Sequence, residues 1–325
     1  MICRSGKAGS LNSLRRFMLG AVLLGLAMIL LFALVSSSCV RLSDARQPRD
    51  PETGLLEHAA PYSLNPEQAE LAVLMVHGFL GTPHHFADLP EALAEAGHAV
   101  EVMLLPGHGV SPLDLEHTNP AELLHAVRAH VNALQTDYDK VVVLGHSMGG
   151  ALAVLVTESM EVDGLILAAP LFEVEHRWYY GMHPERWAKL VRPLLRWVYR
   201  SPGSRPVNRR EVRREITTFT WVPTNAVYVA VQLGQQARSP EALAHLKLPV
   251  LLLHGLDDSV TSPEASEVAW EAMPTDDKHL VLLERSEHLI FWDHDREQVQ
   301  AEILAFLNRL VEEDAIVEAL DHDHN

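Results

Sequence analysis

An apolar run, Val141-Val142-Val143-Leu144, stops on Gly145-His146-Ser147-Met148-Gly149 and gives way to a stretch of helix formers, Ala151 to Met160. Four consecutive apolar residues, three of them β-branched, read as a buried strand, and the segment after the turn has few helix breakers. The turn therefore joins a strand to a helix. A residue at the apex of so sharp a turn is held at strained dihedrals, which are tolerated because Gly145 and Gly149 have no Cβ to collide with the adjoining elements. The Ser147 hydroxyl is thereby lifted clear of the backbone, as a nucleophile requires. The helix starting at Met148 directs its free N–H groups and the positive end of its dipole at the same spot, where the oxyanion of an acyl transfer forms.

The rest of the chain alternates strand with helix around this turn. Leu71 to Val76 reads as a buried strand, followed by His77-Gly78-Phe79-Leu80-Gly81-Thr82-Pro83. The two glycines let that loop pass close to another group, which makes it a candidate oxyanion-hole loop. A helix is expected up to Ala96, with Gly97 as its stop, then a strand from Ala99 to Leu105. Pro106-Gly107-His108-Gly109 is a tight turn in which His108 is a structural residue. Asn119-Pro120 opens a helix to about Gln135 with Leu123, Leu124, Val127, Val131 and Leu134 on one stripe. Further strands are expected at Leu165 to Ala169, Pro249 to Leu253 and His279 to Leu283, and a closing helix at Arg296 to Glu312. This pattern predicts an α/β fold, with a mostly parallel sheet covered by helices on both faces.

Two of these strands end in residues that can serve a serine nucleophile. Asp257-Asp258 follows the strand that ends at Leu253, on the sheet edge where α/β proteins carry their sites. Ser286-Glu287-His288 follows the last strand. His294 is a rival base further from its strand end. Ser147 needs a base to take its proton, and an imidazole does so near neutral pH when a carboxylate holds its tautomer. His288 and one of the two aspartates fit those roles, with the Phe79 and Met148 backbone N–H groups as the oxyanion hole.

Charge and cysteine usage set the compartment. Four of the 26 basic residues and no acid lie in residues 1–39, so the rest of the chain has 22 basic against 43 acidic side chains. Nucleic acid is an unfavourable partner for such a body. Both cysteines, Cys3 and Cys39, also fall in that first segment, which leaves the body without a thiol for a disulfide, a metal or catalysis. Phe17 to Val35 is an uncharged apolar run of 19 residues preceded by Arg15 and Arg16. It reads as a membrane segment that keeps the arginines cytoplasmic and sends the rest of the chain to the extracytoplasmic side. Two versions stand. The run is a retained transmembrane anchor, or Ser36-Ser37-Ser38-Cys39 is a loose lipobox and Cys39 is lipidated.

The organisation expected is a membrane or signal segment at 1–39, a Pro-rich tether at 40–69, the first part of the core at 70–170, a cap insertion at 171–245, the second part of the core at 246–313 and an acidic tail at 314–325. Between His176 and Trp221 there are eleven Arg or Lys, three acids and four of the chain's six Trp. Basic residues interleaved with Trp178, Tyr179, Tyr180, Trp187, Trp197 and Tyr199 suit a cap that covers the site and touches lipid headgroups. The tail Asp321-His322-Asp323-His324 has the composition of a metal tract at a terminus where disorder concentrates.

The order Ser147, Asp, His288 is the chain order of the α/β-hydrolase triad. With Gly145 to Gly149, the His77-to-Pro83 loop, Pro106-Gly107-His108-Gly109, Asp258-Ser259-Val260 with Pro263, and Glu287-His288, the chain resembles the α/β-hydrolase superfamily from about Leu71 to Leu310. Within that superfamily it resembles the bacterial carboxylesterase and monoacylglycerol lipase group. The resemblance implies Asp258, not Asp257, as the triad acid, and hydrolysis of a carboxylic ester of a small or lipid molecule through a serine acyl-enzyme. It also implies a helical cap before the Asp strand and neither cofactor nor metal. Peptidase and acyltransferase branches share the serine. An inactive binding module on the same fold is the reading from a different class.

Overall fold

The computed structural model describes residues 7–322 apart from 68, 176–180, 182, 184–185, 187–188, 191, 193–194 and 202. In chain order the elements are α1 (Lys7–Asp44), β1 (Tyr62–Leu64), β2 (Leu71–Val76), α2 (Leu89–Glu95), β3 (Ala99–Val102), α3 (Pro112–Leu115), α4 (Pro120–Asp137), β4 (Lys140–His146), α5 (Met148–Val156) and β5 (Gly164–Ala168). They continue with β6 (Trp197–Tyr199), β7 (Trp221–Pro223), α6 (Thr224–Ala237), α7 (Pro240–Leu243), β8 (Val250–Gly255), α8 (Pro263–Ala272), β9 (Lys278–Leu283) and α9 (Arg296–His322).

Seven strands form one sheet in the order β1-β3-β2-β4-β5-β8-β9. All neighbours are parallel except β1, which runs antiparallel to β3 at the edge. Because side chains alternate along a strand, β4 feeds two separate cores. Val141 and Val143 pack with α4, α5 and α6 on one face, whereas Val142 and Leu144 pack with α2 and α9 on the other. That double burial is why β2, β4, β5 and β8 read as unbroken apolar runs. Asn119 caps α4 by accepting from the Glu122 N–H at 3.0 Å, with Pro120 as the first residue. Of the expected stripe, Leu123, Val127 and Val131 are buried and Leu124 and Leu134 are half-buried.

Three features differ from the sequence expectation. Residues 40–69 do not form a loose tether: α1 runs to Asp44, Leu56 and Ala59 are buried, and Tyr62–Leu64 pairs with β3. A three-residue edge strand among prolines carries too little periodicity to be visible. The strand at Ala99 ends at Val102, three residues short of Leu105. The described part of the segment 171–245 holds the antiparallel ribbon β6–β7, and α6 packs on α5 through Val229, Ala230 and Leu233, as part of the core. Trp178, Tyr179, Tyr180, Trp187, Asp323 and His324 lie outside the described residues.

Helix α1 divides into two halves. Its apolar half is bare, with Phe17 75% and Leu30 63% exposed, while Ser36 and Val40 are buried against the body. The Trp197 indole N–H donates to Ser37 Oγ at 3.2 Å, and Ser43 Oγ lies 3.3 Å from Thr220 Oγ1. Asp44 accepts from Ser111 Oγ at 2.9 Å and pairs with Arg49 at 2.7 Å. The stretch Arg15–Asp44 is long and apolar enough to cross a membrane.

Candidate active site

The strand β4 delivers its last residue, His146, to the elbow, and Ser147 adopts φ 55° and ψ −118° before α5 begins. An L-residue in that region costs on the order of 1–3 kcal/mol, which the surroundings must overdetermine. They do so by close approach: a Cβ on Gly145 would sit 2.3 Å from Gly149 O, and one on Gly149 would sit 2.0 Å from Val76 O. The elbow is also clamped sideways, since the Ser147 N–H donates to Ala168 O at 2.9 Å and Ser147 O accepts from the Leu171 N–H at 2.9 Å.

Ser147, His288 and Asp258 come together as a hydrogen-bonded chain. Ser147 Oγ lies 2.9 Å from His288 Nε2, and His288 Nδ1 lies 2.7 Å from Asp258 Oδ2. An ionised carboxylate only accepts, so Nδ1 carries the proton and donates to it, which leaves Nε2 free to accept from the serine hydroxyl. Asp258 is itself saturated with donors. Oδ1 accepts from the backbone N–H groups of Val260 at 2.7 Å and Thr261 at 2.9 Å, and Oδ2 also accepts from Thr261 Oγ1 at 2.8 Å and His254 Nε2 at 3.1 Å. Burial opposes its ionisation, but the charges and hydrogen bonds of His288 and His254 outweigh that and hold the carboxyl far below the usual carboxylate range.

The other candidates lie elsewhere. Asp257 is exposed and accepts from the Asn208 side chain at 2.9 Å. His294 is exposed, whereas its neighbours Asp293 and Asp295 are buried and organise the loop that holds His288. Asp293 accepts from the Glu287, Asn208 and Arg209 N–H groups, and Asp295 accepts from the Arg285 N–H and Ser286 Oγ. His108 is buried and its Nδ1 lies 3.0 Å from Pro106 O, inside its own turn.

The loop after β2 lies on the serine, for a Cβ on Gly78 would sit 2.8 Å from Ser147 Cβ. Buried His77 shapes this loop. Its Nε2 accepts from the Leu105 N–H at 3.0 Å, so its Nδ1 carries the proton and donates to Gly78 O at 2.9 Å. Burial first, and then the neighbouring His108, push this imidazole well below its ordinary range and keep it neutral. Among the described residues the N–H groups of Phe79 and Met148 have no acceptor. His146 Nε2 donates to His288 O at 3.0 Å, which ties the elbow to the histidine loop.

A pocket opens beside Ser147, walled by Phe79, Leu80, Leu171, Val231 and Leu289 and by Arg200, Arg205 and Thr218 of the insertion. The insertion is fastened to the loop after β2: Thr218 Oγ1 donates to Leu80 O at 2.9 Å, and His85 Nε2 donates to Thr217 O at 3.2 Å. The basic residues expected to meet lipid are partly engaged within the protein. Arg196 makes a bidentate pair with Glu116, both bonds 2.6 Å, and Arg200 and Arg205 line the pocket.

A family model described as Hydrolase_4, serine aminopeptidase S33, matches residues 67–295. The chain belongs to that family. A carboxylesterase of Bacillus subtilis is 25% identical over 242 residues, 74% of this chain and 93% of that protein. A thermostable monoacylglycerol lipase of Bacillus sp. strain H-257 is 26% identical over 244 residues, covering 74% and 91%. Among solved structures, the monoacylglycerol lipase of Paleococcus ferrophilus superposes with a TM-score of 0.64 at 23% identity, covering 77% of this chain and 98% of that one. The fold is that of the α/β-hydrolases.

Within this family frame, sequence reasoning missed His254, His77, Asp293 and Asp295, which surround the candidate residues without being among them. His254 had a visible signal, since it stands at a strand end four residues before Asp258. The two aspartates offered none beyond flanking a histidine.

Proposed function

We propose that this chain is a membrane-tethered serine esterase in which Ser147 attacks the ester carbonyl, His288 takes and returns the proton, and Asp258 holds the imidazole. The relatives support a carboxylic ester hydrolase and not a peptidase or an inactive binding module. The observation that carries the assignment is the chain Ser147 Oγ, His288, Asp258, with bonds of 2.9 and 2.7 Å, at a strained elbow. When Oγ adds to the carbonyl, the proton passes to Nε2 and the imidazolium is stabilised by the carboxylate. The oxyanion takes the N–H groups of Phe79 and Met148, preorganised because His77 and the glycine contacts fix both chains. The imidazolium then protonates the departing alcohol, and water releases the acid from the acyl-enzyme by the same route. No cofactor enters this chemistry.

The substrate reading is an ester of a small or lipid molecule, with the mostly apolar pocket wall taking the acyl chain. The location reading is that α1 crosses the membrane, Arg15 and Arg16 stay cytoplasmic, and the body lies on the extracytoplasmic side. The docking of Ser36, Ser37 and Val40 supports a retained anchor over cleavage before Cys39, because cleavage would remove part of a packed surface. It also supports a fixed orientation in which the ribbon β6–β7, with Val198 and Tyr199 exposed beside α1, meets the headgroup layer. A fluorophosphonate probe should label Ser147, and the full chain in detergent should hydrolyse p-nitrophenyl esters and monoacylglycerols. Absence of both would overturn the assignment.

A further inference from the structure

Arg205 is an anomaly in the pocket wall. Its residue is 7% exposed, Nε and Nη1 are buried, and its guanidinium has no hydrogen-bond or ion-pair partner among the described residues. A guanidinium is the side chain least suited to such a place, since it carries five donors in a rigid fork and stays charged at neutral pH. Burial first, and then repulsion from Arg200, lower it only to about 10. A buried charge persists where something compensates it, and a protein interior that leaves one unpaired is missing a partner.

The surroundings say where that partner belongs. Arg205 and Arg200 line the same pocket as Ser147 and His288. Arg200 spends one donor on Ser204 O at 3.0 Å, within its own turn. Burial lowers Arg200, and the acid that offsets this among the described residues is Glu287. Its carboxyl is pushed up by burial and bonds Ser259 through Oε1, with Oε2 unpaired among the described residues, so it is a weak counter-charge for two guanidiniums. Arg205 is also held in place: the Leu289 N–H donates to Pro206 O at 3.0 Å, which joins the residue after Arg205 to the residue after His288. The fork is therefore registered against the catalytic histidine. An anion bound there is part of the molecule being cleaved, because the pocket is the one that holds the nucleophile.

We propose that Arg205, aided by Arg200, binds an oxyanion carried by the ester substrate, a carboxylate or a phosphate. This rests on the serine esterase reading and narrows it, for a neutral monoacylglycerol would bring no counter-charge to a guanidinium that has no partner among the described residues. A planar fork suits either group by paired hydrogen bonds.

The test uses matched pairs of esters and the full chain in detergent. One pair is the monomethyl ester of a medium-chain dicarboxylic acid against the methyl ester of the monocarboxylic acid of equal length. The other is a lysophosphatidate against the monoacylglycerol with the same acyl chain. The anionic member of one pair should show a kcat/KM about 10- to 100-fold higher, carried mainly by KM, since a charge-assisted hydrogen bond is worth that much. The preference should shrink in 0.5 M salt. Arg205→Met should bring the ratio toward one, and Arg205→Lys should retain part of it, with fluorophosphonate labelling showing that each variant is folded. Which pair responds tells carboxylate from phosphate. Ratios near one for both pairs, with the neutral esters turned over, would overturn the proposal and leave the esterase reading standing. So would a preference that survives Arg205→Met. No turnover of any ester and no labelling of Ser147 would instead overturn the esterase reading itself.

Discussion

His254 Nε2 lies 3.1 Å from Asp258 Oδ2, the same oxygen that His288 Nδ1 meets at 2.7 Å from the other side. His254 Nδ1 is 2.8 Å from Ser266 Oγ on α8, so the serine donates to Nδ1 and the Nε2 proton points at the carboxylate. Asp258 is thus braced from the sheet as well as from its own turn. His254→Leu should remove a hydrogen bond to a buried charge, lowering stability by about 1.5–3 kcal/mol and kcat by about tenfold with KM little changed. His254→Gln, which keeps a donor, should recover part of both. Thermal melts and steady-state rates on the three proteins decide it, and an unaltered kcat in the Leu variant would show that the brace is irrelevant to turnover.

Ser147→Ala should lower esterase kcat by on the order of 10⁴ or more while leaving the melting temperature within a few degrees, as the proposed role of the hydroxyl as nucleophile and not packing element requires. His288→Ala should be about as damaging. The double variant should cost little more than either, because residues that act as one unit are not additive. Multiplicative losses would mean that they do not share a step.

The aspartates separate cleanly by environment. Asp258 is 5% exposed and bonded to five donor groups, while Asp257 faces solvent with the Asn208 amide as its side-chain partner. Asp258→Asn should cut kcat by about 10⁴ through loss of the correct imidazole tautomer, whereas Asp257→Asn should stay within about threefold. Steady-state rates with a p-nitrophenyl ester distinguish them, and the reverse order would move the acid role to Asp257.

The parts of this molecule that were legible in the sequence are those with strong local signals. The strand, the elbow and the helix of 140–156 were read almost residue by residue, because two glycines, a β-branched run and a helix former each demand a conformation. Ser147, Asp258 and His288 stood out since each follows a strand end, where an α/β sheet carries its site. Residues 40–69 read as a tether in the sequence but pack against the body. Prolines there signal the absence of helix, but nothing local records that the Leu56 N–H donates to Gly109 O or that Tyr62 pairs with Val102 of β3. The inward turn of Arg200 and Arg205 was equally invisible. A basic run has the same composition whether it faces lipid or a pocket, and only the tertiary placement of Ser204 and Pro206 decides.

Several buried histidines make the fold sensitive to acid. Burial is the main cause that lowers His108 to about 4 and His146 to about 3, and His77 and His85 are held well below the ordinary value by burial and neighbouring rings. In the unfolded chain these rings take up protons below about pH 6.5, and in the folded one they do not. The unfolded state therefore gains protons as pH falls, so stability is full above pH 6.5 and declines as the pH falls from there past about 4, where His108 takes up its proton, to about 3, where His146 does. Each ring contributes a slope of up to about 1.4 kcal/mol per pH unit. The melting temperature should drop steeply from pH 6.5 to 4.5 and be flat from 7 to 8.5. A profile equally flat on the acid side would contradict the buried, neutral state of these side chains.

The end of α1 behaves as part of the folded body, which separates anchoring from orientation. Val40 is fully buried, Ser37 accepts from the Trp197 indole and Asp44 binds Ser111, so the last two turns of the helix are packed against the ribbon β6–β7 and α3. A chain beginning at Ser36 keeps these contacts and loses the apolar run. It should be soluble and retain its kcat on soluble esters. Val40→Asp in that shortened chain places an unpaired charge in an apolar contact, at a cost of several kcal/mol that undocking of the segment relieves. Limited proteolysis should then cut between residues 36 and 61 in the variant and not in the parent, with a melting temperature lower by several degrees. If both chains are cut equally and melt together, the segment is a loose leash after all, and the proposed orientation of the cap toward a membrane falls.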